Sequence, residues 1–209
     1  MTPRTRRVVV LAGPSGSGKS HLADQLAREL GLPVLRLDDF YRDGDDPGLP
    51  RAHGIVDWDD PAAWDADAAV EAAVALCREG WADVPVYDIP TSRATGRTTL
   101  SAGASGVVLA EGIFAADVVV RLREAGVLAD ALALTHRPAV TFVRRLARDL
   151  REARKPPLTL VRRGWSLMRA EPQIVARQVA LGAVACTKAQ ARRRVRALAG
   201  QTGPATSAA

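Results

Sequence analysis

Lys19 and Ser20 close the stretch GPSGSGKS at residues 13–20. The spacing fits G-x-x-x-x-G-K-[ST], a loop built to hold phosphate. Its glycines let the backbone wrap closely, so that successive N–H groups point inward at phosphate oxygens. A helix that starts at the end of the loop adds positive potential there. Gly13, Pro14, Ser15, Gly16, Ser17, Gly18, Lys19 and Ser20 therefore form a candidate nucleotide cradle, with His21 flanking it. In such a cradle the Lys19 amine reaches the terminal phosphates and the Ser20 hydroxyl is offered to Mg²⁺.

Phosphoryl chemistry needs more than a cradle. A second oxygen ligand should hold or orient the metal, and Glu111 in VVLAEGIF directly follows an apolar run. It falls at the carboxyl edge, where open α/β sheets bind ligands. A transfer to a hydroxyl also needs a carboxylate for that hydroxyl. RLDDFYRDGDD, residues 36–46, holds five acids. Asp38 closes the second apolar run beside the cradle and is the catalytic candidate. Asp39 either positions metal or water or caps the turn. Tyr41 and Arg42 begin a loop over the acceptor. Asp43, Asp45 and Asp46 sit with Gly44, Pro47 and Gly48 and read as solvated turn residues. The transferring phosphoryl needs delocalised positive charge, and TFVRRLARDLREARK supplies it through Arg144, Arg145, Arg148, Arg151 and Arg154. Guanidinium groups match phosphate oxygens bidentately and stay charged.

The elements that must position these groups alternate between strand and helix. Strands are expected at 7–12, 34–37, 84–87, 97–100 (in a small hairpin), 107–110 and 128–135. Helices are expected at 20–30, from Asp60-Pro61 to about 79, at 115–124, from Pro138 to Pro156-Pro157, near 158–181 and near 188–198. That alternation predicts an α/β fold: a mostly parallel sheet with helices on both faces. One domain is expected over residues 1–200, with an arginine-rich lid at about 138–157. The tail GQTGPATSAA predicts disorder over 201–209.

Composition sets the outer limits. The chain has 209 residues and net charge +6. Only Lys19, Lys155 and Lys188 are lysines, and no residue is Asn. A guanine-reading Asn-Lys-x-Asp motif therefore cannot exist, which excludes the usual GTPase switch. Charge is uneven: ten acids against two Arg between 38 and 67, and sixteen bases against three acids between 137 and 196. The basic half suggests a polyanionic ligand. Cys77 and Cys186 make neither a metal pattern nor a disulfide framework, so a reducing cytoplasm is expected. The only early apolar run, residues 8–12, is too short to span a membrane. Trp58 and Trp64 line the acceptor pocket or pack in the core; Trp81, Trp165 and Cys77 read as packing residues.

Taken in order over about 140 residues, GPSGSGKS, LDDFYR, DWDDPAAWD, PVYD, AEGIF and RRLARD resemble the uridine kinase and phosphoribulokinase-like family of P-loop kinases. The resemblance implies a P-loop NTPase three-layer sandwich with an arginine lid, and transfer of the ATP γ-phosphoryl to a sugar-type hydroxyl. By position it implies that Asp38 is the base or orienting group, that Asp59 holds a ribose, and that Tyr87 packs beside a base. It also implies that Glu111 is the acid of the EG motif and that Arg145 and Arg148 are lid arginines. Arg93 matches when one gap is allowed. The chain departs from the pattern at YDIPTSR, where Ile89 replaces an aromatic and the pyrimidine-reading His is missing, and at Thr141, where the family has Arg.

The expectation is a kinase using ATP and Mg²⁺ on a nucleoside or related sugar or polyol, uridine kinase-like. Pantothenate, nicotinamide riboside or a sugar phosphate are the alternative acceptors. The partners implied are a nucleotide and a small-molecule acceptor; a membrane is not expected, and a homo-oligomer is compatible. A nucleotide-dependent nucleic-acid binder using ARRRVRAL, residues 191–198, is the weaker reading, because no aromatics are interleaved for base stacking.

Overall fold

Val8, Val9, Val10 and Leu11 are completely buried, so the strand they form, β1 (Arg7–Ala12), is apolar on both faces. A strand of this kind belongs in the middle of a parallel sheet covered on both sides. The computed structural model describes residues 6–52, 54–135 and 171–202 and places β1 in that position. After β1 come β2 (Val34–Arg36), two-residue β3 (Arg51–Ala52) and β4 (Ile55–Val56), then β5 (Trp81–Asp88), β6 (Arg93–Ser101), β7 (Val107–Glu111), β8 (Leu128–Leu134) and β9 (Val184–Cys186). The helices are α1 (Lys19–Leu30), α2 (Ala66–Arg78), α3 (Val119–Glu124), α4 over 171–180 and α5 (Lys188–Thr202).

The central sheet has the order β2-β7-β1-β8-β9 and every pair is parallel. One face carries Val9, Leu11, Leu109 and Leu132 against Leu22 and Leu26 of α1 and Ala191 and Val195 of α5. The other carries Val8, Val10, Val108 and Ala110 against Ala69, Ala73 and Leu76 of α2 and Val119 and Leu122 of α3. Each fully buried leucine contributes on the order of 2 kcal/mol. The expected three-layer α/β architecture is the observed one.

Several local expectations change. The second strand stops at Arg36, and Leu37–Phe40 forms a 3₁₀ turn that carries Asp38 away from the sheet. Asp60 caps only the short turn Pro61–Ala63; the chain extends again at Trp64, and Asp65 caps α2 by accepting from the Ala68 N–H. The small hairpin expected around 84–87 and 97–100 is present and longer than expected, the antiparallel pair β5–β6 outside the main sheet. Trp81, read as a packing residue, is 48% exposed on it. Strand β9 was not foreseen, and α5 continues to Thr202, into the stretch expected to begin the disordered tail. The lid at 138–157, with Arg145 and Arg148, lies outside the described residues, as do Trp165 and 203–209. Among the described residues no helix is long and apolar enough to cross a membrane.

Candidate functional site

The loop between β1 and α1 follows from its glycines. Gly18 caps α1 at φ 86°, a left-handed conformation that favours glycine. A Cβ there would also enter the space taken by Lys188 Nζ at the start of α5. The first turn of α1 contains no acid, so its N-terminal potential is not offset locally. Lys19 is buried and donates to the Pro14 carbonyl oxygen at 3.3 Å. Ser17 is buried inside the loop, while Ser20 and His21 are exposed at its mouth. Loop residues 13–20 thus lie at the carboxyl end of β1, where α1 begins.

Strand β7 delivers Glu111 to the same edge. Its side chain is 3% exposed. Ser20 Oγ donates to Glu111 Oε2 at 3.0 Å, and Arg36 Nη1 donates to Oε1 at 3.2 Å. Burial pushes the Glu111 carboxyl above its ordinary value, and the nearby Asp38 charge pushes the same way. Lys19, the Ser20 hydrogen bond and Arg36 oppose the shift without cancelling it.

Asp38 is reached from the neighbouring strand, β2. The Ile113 N–H donates to Asp38 Oδ1 at 3.0 Å, fixing the carboxylate against the chain just beyond β7. Gly112 makes the approach possible, since a Cβ there would lie 2.7 Å from Asp38 Oδ1 and 3.0 Å from Leu37 Cβ. Behind Asp38, Trp64 Nε1 donates to the Leu37 carbonyl oxygen at 2.6 Å, in a buried position. Burial also raises the Asp39 carboxyl; Arg36 opposes this and Asp38 reinforces it.

Tyr41 links Asp38 to the residues around Asp59. Its hydroxyl donates to the Trp58 carbonyl oxygen at 3.1 Å. Its ring meets Trp58, Tyr87 and Phe114 with centroids 5.6, 5.9 and 6.0 Å away. Burial raises the Tyr41 phenol, and the charges of Asp38 and Asp59 add to the shift. Beyond Trp58 opens a cavity of about 790 Å³ lined by Asp59, Arg51, Ile55, Val56, Asp45 and Arg93 among others. Arg93 is paired with Asp45 at 2.5 Å, both well exposed. Tyr87 turns its hydroxyl to the Arg42 carbonyl oxygen at 3.2 Å.

The structure therefore brings the cradle, Ser20, Glu111 and Asp38 together, with Tyr41, Asp59, Tyr87 and Arg93 on the adjoining side. Sequence reasoning missed Arg36, Asp24 and the Ile113 N–H, which act through pairings far apart in the chain. Asp43 and Asp45 lie in an exposed turn as expected, and they also bond outward from it: Asp43 Oδ1 accepts from the Ala94 N–H at 2.8 Å and Asp45 accepts from Arg93. These acids dock the loop onto the β5–β6 hairpin.

The donor set fits Mg²⁺. The Ser20 hydroxyl and Glu111 carboxylate oxygens are hard and adjacent, and this ion usually takes one or two protein ligands and completes its shell with phosphate and water. Among the described residues there is no group of three or more His, Cys, Asp or Glu that could hold a metal ion.

Residues 8–208 match the family model described as an AAA domain. A uridine kinase of Schizosaccharomyces pombe is 35% identical over 116 residues, 54% of this chain and 25% of that protein. This similarity agrees with the resemblance read from the motifs. An inorganic pyrophosphatase of Arabidopsis thaliana is 27% identical over 157 residues, 74% of this chain and 22% of that protein. The chain spans about a quarter of the length of the curated relatives it matches. Among solved structures, a protein provisionally named a fructose transport system kinase, from Silicibacter sp. TM1040, has a TM-score of 0.60 at 22% identity, covering 84% of this chain and 88% of that one. At that identity the likeness speaks for the fold.

Proposed function

Since this chain belongs to the AAA-domain family of P-loop proteins, we propose that it is a kinase transferring the γ-phosphoryl of ATP to a hydroxyl of a nucleoside, sugar or related polyol. The observation that carries the reading is the placement of Asp38. A carboxylate fixed by the Ile113 N–H lies close enough to act on Glu111 on one side and on Tyr41 on the other, and the Tyr41 ring meets Trp58 and Tyr87.

In this reading ATP phosphates lie on the backbone of residues 13–20, and Lys19 exchanges its bond to the Pro14 carbonyl for phosphate oxygens. Ser20 and Glu111 would hold Mg²⁺, which supplies positive charge to the phosphates when bound. Asp38 orients the acceptor hydroxyl and accepts its proton. Tyr41, Asp59 and Tyr87 line the acceptor side, and Arg93 reaches the cavity beyond. Arg145 and Arg148 are the proposed lid arginines that cover the transferring phosphoryl.

The acceptor is less constrained. Uridine is the first candidate by resemblance, yet no His follows PVYD, and Ile89 at the hairpin turn is 58% exposed. A site without a polar base reader loses the discrimination it gives. This favours testing nicotinamide riboside, pantothenate and sugar phosphates beside nucleosides. The nucleic-acid reading is weakened by internal pairing: Arg192 donates to Gln25, Arg194 grips Asp130 with two bonds, and Arg196 pairs with Glu29. A panel of these acceptors with ATP and Mg²⁺, followed by ADP release, tests the proposal. Nucleotide binding without transfer to any of them would overturn it.

A further inference from the structure

Arg36 ends β2 and Glu111 ends β7, and the two are register partners on adjacent parallel strands. Their side chains consequently leave the same face of the sheet, the face covered by α1. There Arg36 makes two bonds. Nη1 donates to Glu111 Oε1 at 3.2 Å, and Nη2 donates to Asp24 Oδ1 at 2.8 Å. Asp24 stands four residues after Ser20 on α1, so it shares a helix face with Ser20. Ser20 in turn donates to the other oxygen of Glu111. The bonds make a chain of four side chains across α1, β7 and β2, Ser20–Glu111–Arg36–Asp24, with both ends on α1.

We propose that Arg36 is a positioning residue for the metal-facing carboxylate of Glu111, itself steered by Asp24. The proposal rests on the kinase reading only in taking Ser20 and Glu111 as the metal-holding pair. A buried carboxylate with one oxygen free to rotate would present its ligand oxygen in several orientations. Arg36 occupies Oε1 and leaves Oε2, beside Ser20, as the oxygen that meets a cation. A lone arginine half in solvent would wander; the Asp24 bond holds its second amine and fixes the plane of the guanidinium. Hydrogen-bonded partners behind a metal-ligating carboxylate commonly alter metal affinity 10- to 100-fold. Arg36 also sets a positive charge beside Glu111 and Asp39, where acids crowd together.

The test is an equilibrium one. Affinity for a non-hydrolysable ATP analogue is measured by calorimetry with and without Mg²⁺, in wild type, Arg36→Gln, Arg36→Lys and Asp24→Asn. In wild type Mg²⁺ should tighten binding. Arg36→Gln should reduce that Mg²⁺-dependent gain by about tenfold and leave metal-free affinity unchanged. Arg36→Lys should restore part of the gain, and Asp24→Asn should lose a smaller part. An unchanged Mg²⁺-dependent gain in Arg36→Gln, an equal fall with and without metal, or no gain in wild type would each overturn the proposal. If Arg36→Gln does not fold, the Arg36→Lys and Asp24→Asn pair decides it: full gain in both refutes the role. Because no turnover is read, a wild type that shows the gain yet transfers no phosphoryl defeats the kinase reading alone.

Discussion

Trp64 Nε1 donates to the Leu37 carbonyl oxygen at 2.6 Å inside the core, one residue before the carboxylate proposed for catalysis. The indole thus anchors the 3₁₀ turn that aims Asp38 away from β2. Trp64→Phe keeps most of the apolar contact and strands a buried carbonyl. It should lose about 2 kcal/mol of stability and lower kcat more than it changes nucleotide affinity. Chemical denaturation and acceptor-saturated kinetics measure the two effects. An unaltered kcat would mean that the turn holds Asp38 without the indole.

Asp38→Asn preserves shape and can still take the Ile113 N–H bond through its oxygen, but it no longer accepts a proton. Turnover should fall by about 10²- to 10⁴-fold while nucleotide affinity stays near wild type. Steady-state kinetics with parallel nucleotide titration checks this. Loss of nucleotide binding in step with turnover would contradict the assignment.

Gly112→Ala tests the same carboxylate from the other side. The new methyl group would meet Asp38 Oδ1 at 2.7 Å and Leu37 Cβ at 3.0 Å, so the turn must move. Acceptor turnover should drop at least tenfold with the nucleotide cradle intact, because near-attack geometry tolerates little displacement. A variant with full turnover would show that the turn yields without consequence.

Glu111 predicts a pH dependence with a definite sign. Its folded value lies above the ordinary 4.5, chiefly through burial and then through Asp38. A raised carboxylate holds its proton more tightly in the native state than in the unfolded one. It therefore weakens stability as pH rises from the unfolded value through the folded value, and the penalty is complete above that. Glu111→Gln should accordingly melt higher than wild type at neutral pH without metal, with the gap closing toward acid. In the other direction, Mg²⁺-dependent nucleotide binding should fall as pH drops through a midpoint above 4.5. Asp38→Asn should lower that midpoint. Calorimetric melting and binding titrations over pH 4–8 would settle both.

The phosphate loop was legible because its function is written in consecutive residues; eight positions define both the turn and the ligand. Glu111 was legible because an apolar run ending in an acid marks a strand end. The β5–β6 hairpin was only partly visible, since β6 reads RATGRTTLS and is almost wholly exposed, with no apolar alternation to mark it. Asp60-Pro61 and Asp65 both carry helix-start chemistry, and only packing of Trp64 into the core decides that α2 begins at the second. The Arg36–Glu111 bond could not be read from the chain at all. It depends on the register of two strands 75 residues apart, and register is a property of the assembled sheet.

The order of the central sheet has a consequence during synthesis. β1 leaves the ribosome first, yet Arg7 pairs with Val107 and Val8 with Leu128. At roughly 5 to 20 residues per second, VVVLA waits about 5 to 20 seconds for its first partner strand to be made. Over that interval VVVLA, residues 8–12 of β1, is unpaired, with β-branched side chains and no charge, the composition that invites association between nascent chains. Arg6 and Arg7 immediately before it, and the polar phosphate loop immediately after, act as gatekeepers for a segment that cannot protect itself.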